Sequence, residues 1–236
     1  MWGVVNLNKT SGLGSDFNLI SRVHVDSPGA VEALAEELWN FLYPRIHPVS
    51  APLQIVCIGT DRSTGDCLGP LVGSKLSSLG TFPPSVGLFG TLDEPVHAAN
   101  LDEYMKLLQE DKGSSFVLAI DACLGRSENI GYISIKDGPL KPGTGVNKKL
   151  TEVGSAHLVG VVNVGGFMEY FVLQNTRLSL VMRMADVIAG SIAAVLGWYW
   201  ECFHPNLCMD GRNQQPLPQL HTDGWAADHA APSSGE

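Results

Sequence analysis

The chain has 236 residues, of which 44% are apolar, 15 are basic and 24 are acidic, giving a formal charge of −9. So apolar a composition argues against disorder, and acidity without a lysine–arginine cluster argues against nucleic-acid binding, since phosphate contacts need grouped cations. The odd set of cysteines, Cys57, Cys67, Cys123, Cys202 and Cys208, has no Cys-x-x-Cys pair, which predicts reduced, buried thiols rather than disulfides or a zinc site.

Residues 1–25 are polar and glycine-rich without a clear period, and are expected to be poorly ordered. Their first fifteen lack the basic start and apolar core of a secretory signal, which predicts a cytoplasmic protein. Asp26-Ser27-Pro28 is a helix start, a capping residue with proline in the first turn. Val31, Leu34, Ala35, Leu38, Trp39 and Leu42 then repeat at helical spacing, and Pro44 and Pro48 are expected to end that helix. An apolar strand is predicted over 53–59 and a helix over about 67–79. A strand follows over 86–92, then a helix marked by Leu101, Tyr104, Met105, Leu107 and Leu108 and closed by Lys112-Gly113.

Phe116 to Asp121 is almost wholly apolar, as a strand covered on both faces should be. Gly131 to Ile135 alternates and predicts a fourth strand, and 138–149 reads as a loop. Leu158 to Val164 predicts a fifth strand, with helices over 167–174 and 178–200. The last of these contains Arg183 and Asp186, so it is expected as a buried helix rather than a membrane span. Residues 204–236, rich in Pro, Gln, Gly and Asp, are expected to be a flexible tail. Strands alternate with helices, which predicts an α/β fold. The expected architecture is a three-layer α/β/α sandwich around a mostly parallel sheet, forming a single domain over 26–203.

Residues 55–73 carry the richest chemistry. A strand breaks at Gly59 into a polar loop with Asp61, Arg62 and Asp66, and a helix resumes at Leu68. Strand–loop–helix places loop side chains at the carboxyl edge of a sheet, where α/β proteins bind ligands. Asp121 closes another apolar strand and can reach the same edge. Two carboxylates there can share a proton, one acting as general base and the other as general acid. Taken singly, Asp66 reads better as a helix cap and Asp121 as a turn former; taken together, the two favour the catalytic reading more.

Other readings of this loop are weaker. The lysine of a phosphate-binding loop is replaced by an acid. Ser63 lacks the flanking glycines of a nucleophile elbow. Cys67 and Cys123 have acidic neighbours, which disfavour a thiolate. A metal held by Asp66, Asp121 and either His97 or His157 is a minority reading, and neither a metal nor another cofactor is expected. Glu94, His97, Arg62 and Arg126 are loop residues able to contact a substrate.

Several stretches resemble the YyaC-type sporulation proteins: Cys57 to Asp66 with Leu68 to Gly73, Gly90 to Ala98, Ala119 to Gly125, Pro142 to Lys148, and Asn163 to Asp186. The resemblance spans roughly 53–195. That family is similar in turn to the germination protease of spores, an aspartic-type endopeptidase, and more distantly to the hydrogenase maturation proteases, whose fold is the one implied here. The germination-protease motifs align its catalytic aspartates with Asp66, in Gly65-Asp66-Cys67-Leu68-Gly69-Pro70, and with Asp121, in Ile120-Asp121-Ala122-Cys123-Leu124. The maturation proteases add a metal-holding histidine after the second acid, but here no histidine lies between Asp121 and Gly154.

The resemblance implies a sporulation-related peptidase with Asp66 and Asp121 as the catalytic pair. Asp61, Arg62, Glu94, His97 and Arg126 would contact a protein or peptide substrate. No nucleic-acid or membrane partner is expected. The alternative is an inactive or ligand-binding regulatory module on the same fold.

Overall fold

A computed structural model describes residues 18–46, 52–80, 82–111, 115–142 and 151–203. The expected loose start, the 143–148 part of the Pro142–Lys148 loop and the expected tail beyond 203 fall wholly or mostly outside these residues. The strands are β1 (Leu19–His24), β2 (Leu53–Cys57), β3 (Val86–Phe89), β4 (Phe116–Gly125), β5 (Tyr132–Asp137) and β6 (Ala156–Val164). The helices are α1 (Ala30–Ile46), α2 (Leu68–Ser78), α3 (Leu101–Asp111), α4 (Glu169–Gln174) and α5 (Leu178–Phe203).

The six strands form one sheet in the order β1-β5-β6-β4-β2-β3. The β3–β2–β4–β6 half is parallel, while β5 and β1 are added antiparallel at one side. Alternate strand residues therefore face two different cores. Leu53, Ile55, Leu118, Ile120, Ile133, Ile135 and Leu158 pack with α1, α2 and α5 in the larger core. Val56, Ile58, Ala119 and Val159 join Leu101 and Leu108 of α3 in the smaller one. Helices thus cover both faces, giving the three-layer α/β sandwich expected from the alternation of elements.

Three local expectations are corrected. Leu19–His24 is a strand, although it lies in the stretch expected to be loose. Its period was masked by polar residues, and pairing with β5 supplies the hydrogen bonds that its own sequence does not signal. Pro44 lies inside α1 rather than ending it. The turn beyond it is held because the Arg45 guanidinium donates to the Phe41 carbonyl at 2.7 Å and Ile46 is fully buried. Finally, β4 continues four residues past Asp121, because β6 extends far enough to pair with it as far as Gly125.

Helix α5 is long and apolar enough to cross a membrane by length and composition. Its apolar side is instead spent on protein: Val181, Met184, Ala185, Ile188 and Ile192 are buried in the larger core with α1 and α2. Two of its charged side chains are paired, Asp186 with Lys75 of α2 and Arg183 with Asp26. Such a pattern is that of a core helix.

Candidate active site

The site arises from a step in the sheet. β2 pairs with β4 only as far as Cys57, which lies opposite Ile120. The next residue, Ile58, turns its N–H to the Ile120 carbonyl at 2.7 Å and bridges to Val96. Asp121 is therefore the first residue of β4 beyond the end of β2. That point lies outside the carboxyl ends of the parallel strands, where α/β proteins place their ligand crevices.

The β2–α2 loop folds back over this edge. Thr60 donates its N–H to the Asp66 carbonyl at 3.1 Å, and Asp66 donates its N–H to the Ser63 carbonyl at 3.0 Å. Gly59 has a φ of +145°, and a side chain there would strike the Asp66 backbone. Glycine is required where two backbones approach this closely. From outside, Gly65 donates to the Leu173 carbonyl at the end of α4, at 2.8 Å. The Asp66 loop is thus pinned both to β2 and to α4.

Asp121 is buried on β4, and its Oδ1 accepts the Ala122 N–H at 2.8 Å. Burial pushes its carboxyl well above the ordinary carboxylate range, and the negative charge of Asp66 pushes it further, against the Ala122 hydrogen bond. Asp66 is only partly covered. Burial raises its carboxyl too, while Thr60 and the charge of His97 pull it down. Two carboxylates with unequal burial are placed to separate in role, the buried Asp121 being raised further than the partly covered Asp66.

His97 faces Asp66 electrostatically from the turn before α3. Its Nδ1 accepts the Ala99 N–H at 3.3 Å. The Asn100 side chain holds this turn, accepting the His97 N–H at 2.8 Å and donating to the Pro95 carbonyl at 3.0 Å. Asp66, Asp121 and His97 are the predicted residues that the fold gathers.

The others lie further out. Asp61 is exposed on the rim, where its charge reaches Cys67. Arg62 is exposed and folds back so that its Nε donates to Thr60 Oγ1 at 3.3 Å. Glu94 is exposed in a turn in which its N–H donates to Thr91 Oγ1. Arg126 follows the end of β4 and sits 4.0 Å from Glu128, with both side chains mostly in solvent. Five residues of extended chain, about 16 Å, separate it from Asp121.

Three supporting residues stand outside the predicted set. Asn163, near the end of β6, donates from Nδ2 to Thr176 Oγ1 at 3.2 Å and to the Val172 carbonyl at 3.4 Å. Thr176 is buried and donates to the same Val172 carbonyl at 2.9 Å. Together they hold α4, against which the Asp66 loop rests. Ser63 has the only buried side-chain N or O atom without a hydrogen-bond partner among the described residues. The sequence signal for Asn163 was a single polar residue in an otherwise apolar strand run, Val161-Val162-Asn163-Val164. Among the described residues, no three His, Cys, Asp or Glu side chains are placed together to hold an ion.

Fold and site together define a three-layer α/β protein with a carboxylate pair at the carboxyl edge of its sheet. The chain belongs to the family described as "Protein of unknown function (DUF1256)", whose model matches residues 27–191. It is 44% identical over 211 residues to the "Uncharacterized protein YyaC" of Bacillus subtilis (strain 168), covering 87% of this chain and 100% of that protein. Among solved structures, the [NiFe] hydrogenase maturation protease HycI from Thermococcus kodakarensis KOD1 is similar with a TM-score of 0.45 and 18% identity, covering 66% of this chain and 99% of that one. So distant a likeness transfers no chemistry to this chain.

Proposed function

We propose that the chain is a peptidase-like hydrolase of the aspartic type, with Asp66 and Asp121 as the catalytic pair. The observation that carries this reading is the unequal pair itself: a buried carboxyl on β4, raised by burial and by the charge of Asp66, beside a partly covered one on the adjoining loop that His97 pulls down. Asp66 takes a proton from a water lying between the two. The water oxygen attacks the peptide carbonyl as Asp121 gives its proton to the developing oxyanion. Asp66, now protonated, gives a proton to the departing nitrogen as the C–N bond breaks, and Asp121 takes back a hydroxyl proton of the tetrahedral intermediate, restoring the pair. His97 pulls the Asp66 carboxyl down, which favours its ionised form before attack.

Asp61 and Arg62 would form the near rim of the substrate groove, with Glu94 and Arg126 touching residues further along the substrate. A sporulation-linked, cytoplasmic setting is part of this proposal and is supported by the motif resemblance alone.

The test is incubation of the pure protein with small spore-type proteins and with denatured casein, beside Asp66→Asn and Asp121→Asn. Each substitution is expected to lower cleavage by about 10²–10⁴-fold. Far-UV circular dichroism checks that both variants are folded. Cleavage that survives in both would remove the pair from the chemistry.

A further inference from the structure

The apolar surface of the chain is concentrated beside the Asp66 loop. Most of the exposed large apolar side chains among the described residues fall between Val164 and Leu178. Phe167 is 85% exposed, and Met168, Tyr170 and Phe171 are each more than half exposed. Helix α4 is seated by one side only: Leu173 packs on the larger core and Thr176 is buried, while Tyr170 and Phe171 stay outside. Polar Gln174, Asn175 and Arg177 border the patch. An exposed apolar patch with a polar rim marks an interaction site.

The patch is fixed in place. Met168 holds a left-handed φ of 53° although it is not glycine, a conformation that persists only where neighbouring contacts impose it. Here the Phe171 and Val172 N–H groups donate to its carbonyl at 2.9 and 3.1 Å. Glu169 turns its Oε1 back to accept the Gly166 N–H at 3.1 Å. The Tyr170 and Phe171 rings stand edge to face with centroids 5.9 Å apart. Aromatic rings with few rotatable bonds bind at little entropic cost.

Its position ties it to the carboxylate pair. Gly65, the residue before Asp66, donates to the Leu173 carbonyl at 2.8 Å, and a side chain at Gly65 would strike Leu173 and Thr176. Tyr170 and Phe171 lie within about one helical turn, ~5 Å, of Leu173. The Phe167 turn stands at the same sheet edge, since Gly165 donates to the Gly125 carbonyl at the end of β4 at 2.8 Å.

Three occupants are conceivable, and two fit poorly. Four side chains of this size expose roughly 500 Å², short of the ~800 Å² per partner that a stable second copy needs. A lipid surface favours cations around the apolar face. Between Gly165 and Met182 the charged residues are Glu169 and Arg177 alone, on a chain of net charge −9. A single polypeptide strand needs neither a large area nor cations.

We infer that the outer side of α4 and the Phe167 turn dock large apolar side chains of an extended polypeptide, about three or four residues from the bond presented to Asp66 and Asp121. This rests on the hydrolase reading above and names its substrate class: unfolded segments with an aromatic or large aliphatic residue at that spacing. Burial of such a side chain against Phe167, Tyr170 and Phe171 supplies the binding.

Binding is read apart from catalysis. The full chain carrying Asp121→Asn is titrated by fluorescence anisotropy with labelled decapeptides of Gly, Ser and Gln, with or without one Phe. The Phe-bearing peptides should bind about tenfold more tightly. Adding Tyr170→Ser with Phe171→Ser should erase that preference, and Phe167→Ser should weaken it. Leu107→Ser, at an exposed apolar site on α3, should leave it unaltered. Circular dichroism checks that the variants are folded. No preference in the parent, or one that survives the double substitution, overturns the inference. So does a dimer in sedimentation velocity, or binding to phosphatidylcholine–phosphatidylglycerol vesicles, that the double substitution abolishes. In the chain with Asp121 intact, the double substitution should raise KM for denatured casein and spare kcat. Absent casein cleavage with α4-dependent peptide binding would sink the hydrolase reading and leave the docking surface standing.

Discussion

Burial in β4 raises the Asp121 carboxyl, and Asp66, on the neighbouring loop, raises it further with its negative charge. The pairing depends on a register detail. β2 ends opposite Ile120, and the loop that follows brings Asp66 over the first residue that β2 no longer covers.

The buried carboxyl makes stability depend on pH. Its folded pKa lies above the unfolded value, so between the two the folded state binds more protons. The contribution is complete below the ordinary carboxylate range and is lost as pH rises through the raised value. Asp121→Asn removes this loss and keeps the Ala122 hydrogen bond through its amide oxygen. Its melting temperature should match that of the parent near pH 3.5 and exceed it increasingly toward pH 8, with roughly 2–4 °C for each kcal/mol. A difference that does not change with pH would contradict the assignment.

Activity should follow the singly protonated pair. Both carboxyls are raised, so the acid limb lies above the range of a free carboxylate and the alkaline limb is set by Asp121. A bell-shaped kcat/KM profile is expected, and Asp66→Asn should abolish it rather than move it. A flat profile between pH 4 and 8 would argue against proton sharing.

The loop that carries Asp66 has no room at Gly59. Gly59→Ala adds a Cβ against the Asp66 backbone at a left-handed φ. It should cost about 1–3 kcal/mol in urea unfolding and reduce cleavage more than any effect on far-UV signal would suggest.

Asn163 supports the same loop from behind α4. Asn163→Ala removes both Nδ2 hydrogen bonds and the acceptor for the Val164 N–H, leaving buried Thr176 Oγ1 short of a donor. A loss of about 1–3 kcal/mol is expected from chemical denaturation. Leu158→Ala, far from the loop in the larger core, should cost about 2–5 kcal/mol and provides the comparison for a purely packing defect.

Thiol labelling tests the electrostatics near the pair. Burial raises Cys57, Cys67 and Cys123, and nearby aspartates raise Cys67 and Cys123 further, the latter to about 11. Iodoacetamide at pH 7.5 should modify exposed Cys202 well before these three, as peptide mapping would show. Rapid labelling of Cys123 would mean that Asp121 is not where the fold puts it.

Much of the frame was legible in the chain itself. The stripe from Val31 to Leu42 is α1, and Ile55-Val56-Cys57 and Leu118-Ala119-Ile120 are central strands because both their faces are covered. β1 was not legible. Its residues alternate weakly, and only an antiparallel partner makes them a strand. Pro44 misleads for a similar reason: a local rule ends the helix, while burial of Ile46 and the Arg45 contact continue it. Asn163 is a single polar residue in an apolar run, and only face and register decide what such a residue meets.

The sequence by itself determined the alternation of strands and helices, the strand–loop–helix at Asp66 and the apolar context of Asp121. These follow from local periodicity and backbone chemistry, which neighbours in the chain are enough to express. Only the tertiary structure decided that β2 stops one residue short of Asp121, and that His97 joins the pair while Glu94 and Arg126 stay apart. Those outcomes depend on strand register, and register is set by packing between segments tens of residues apart.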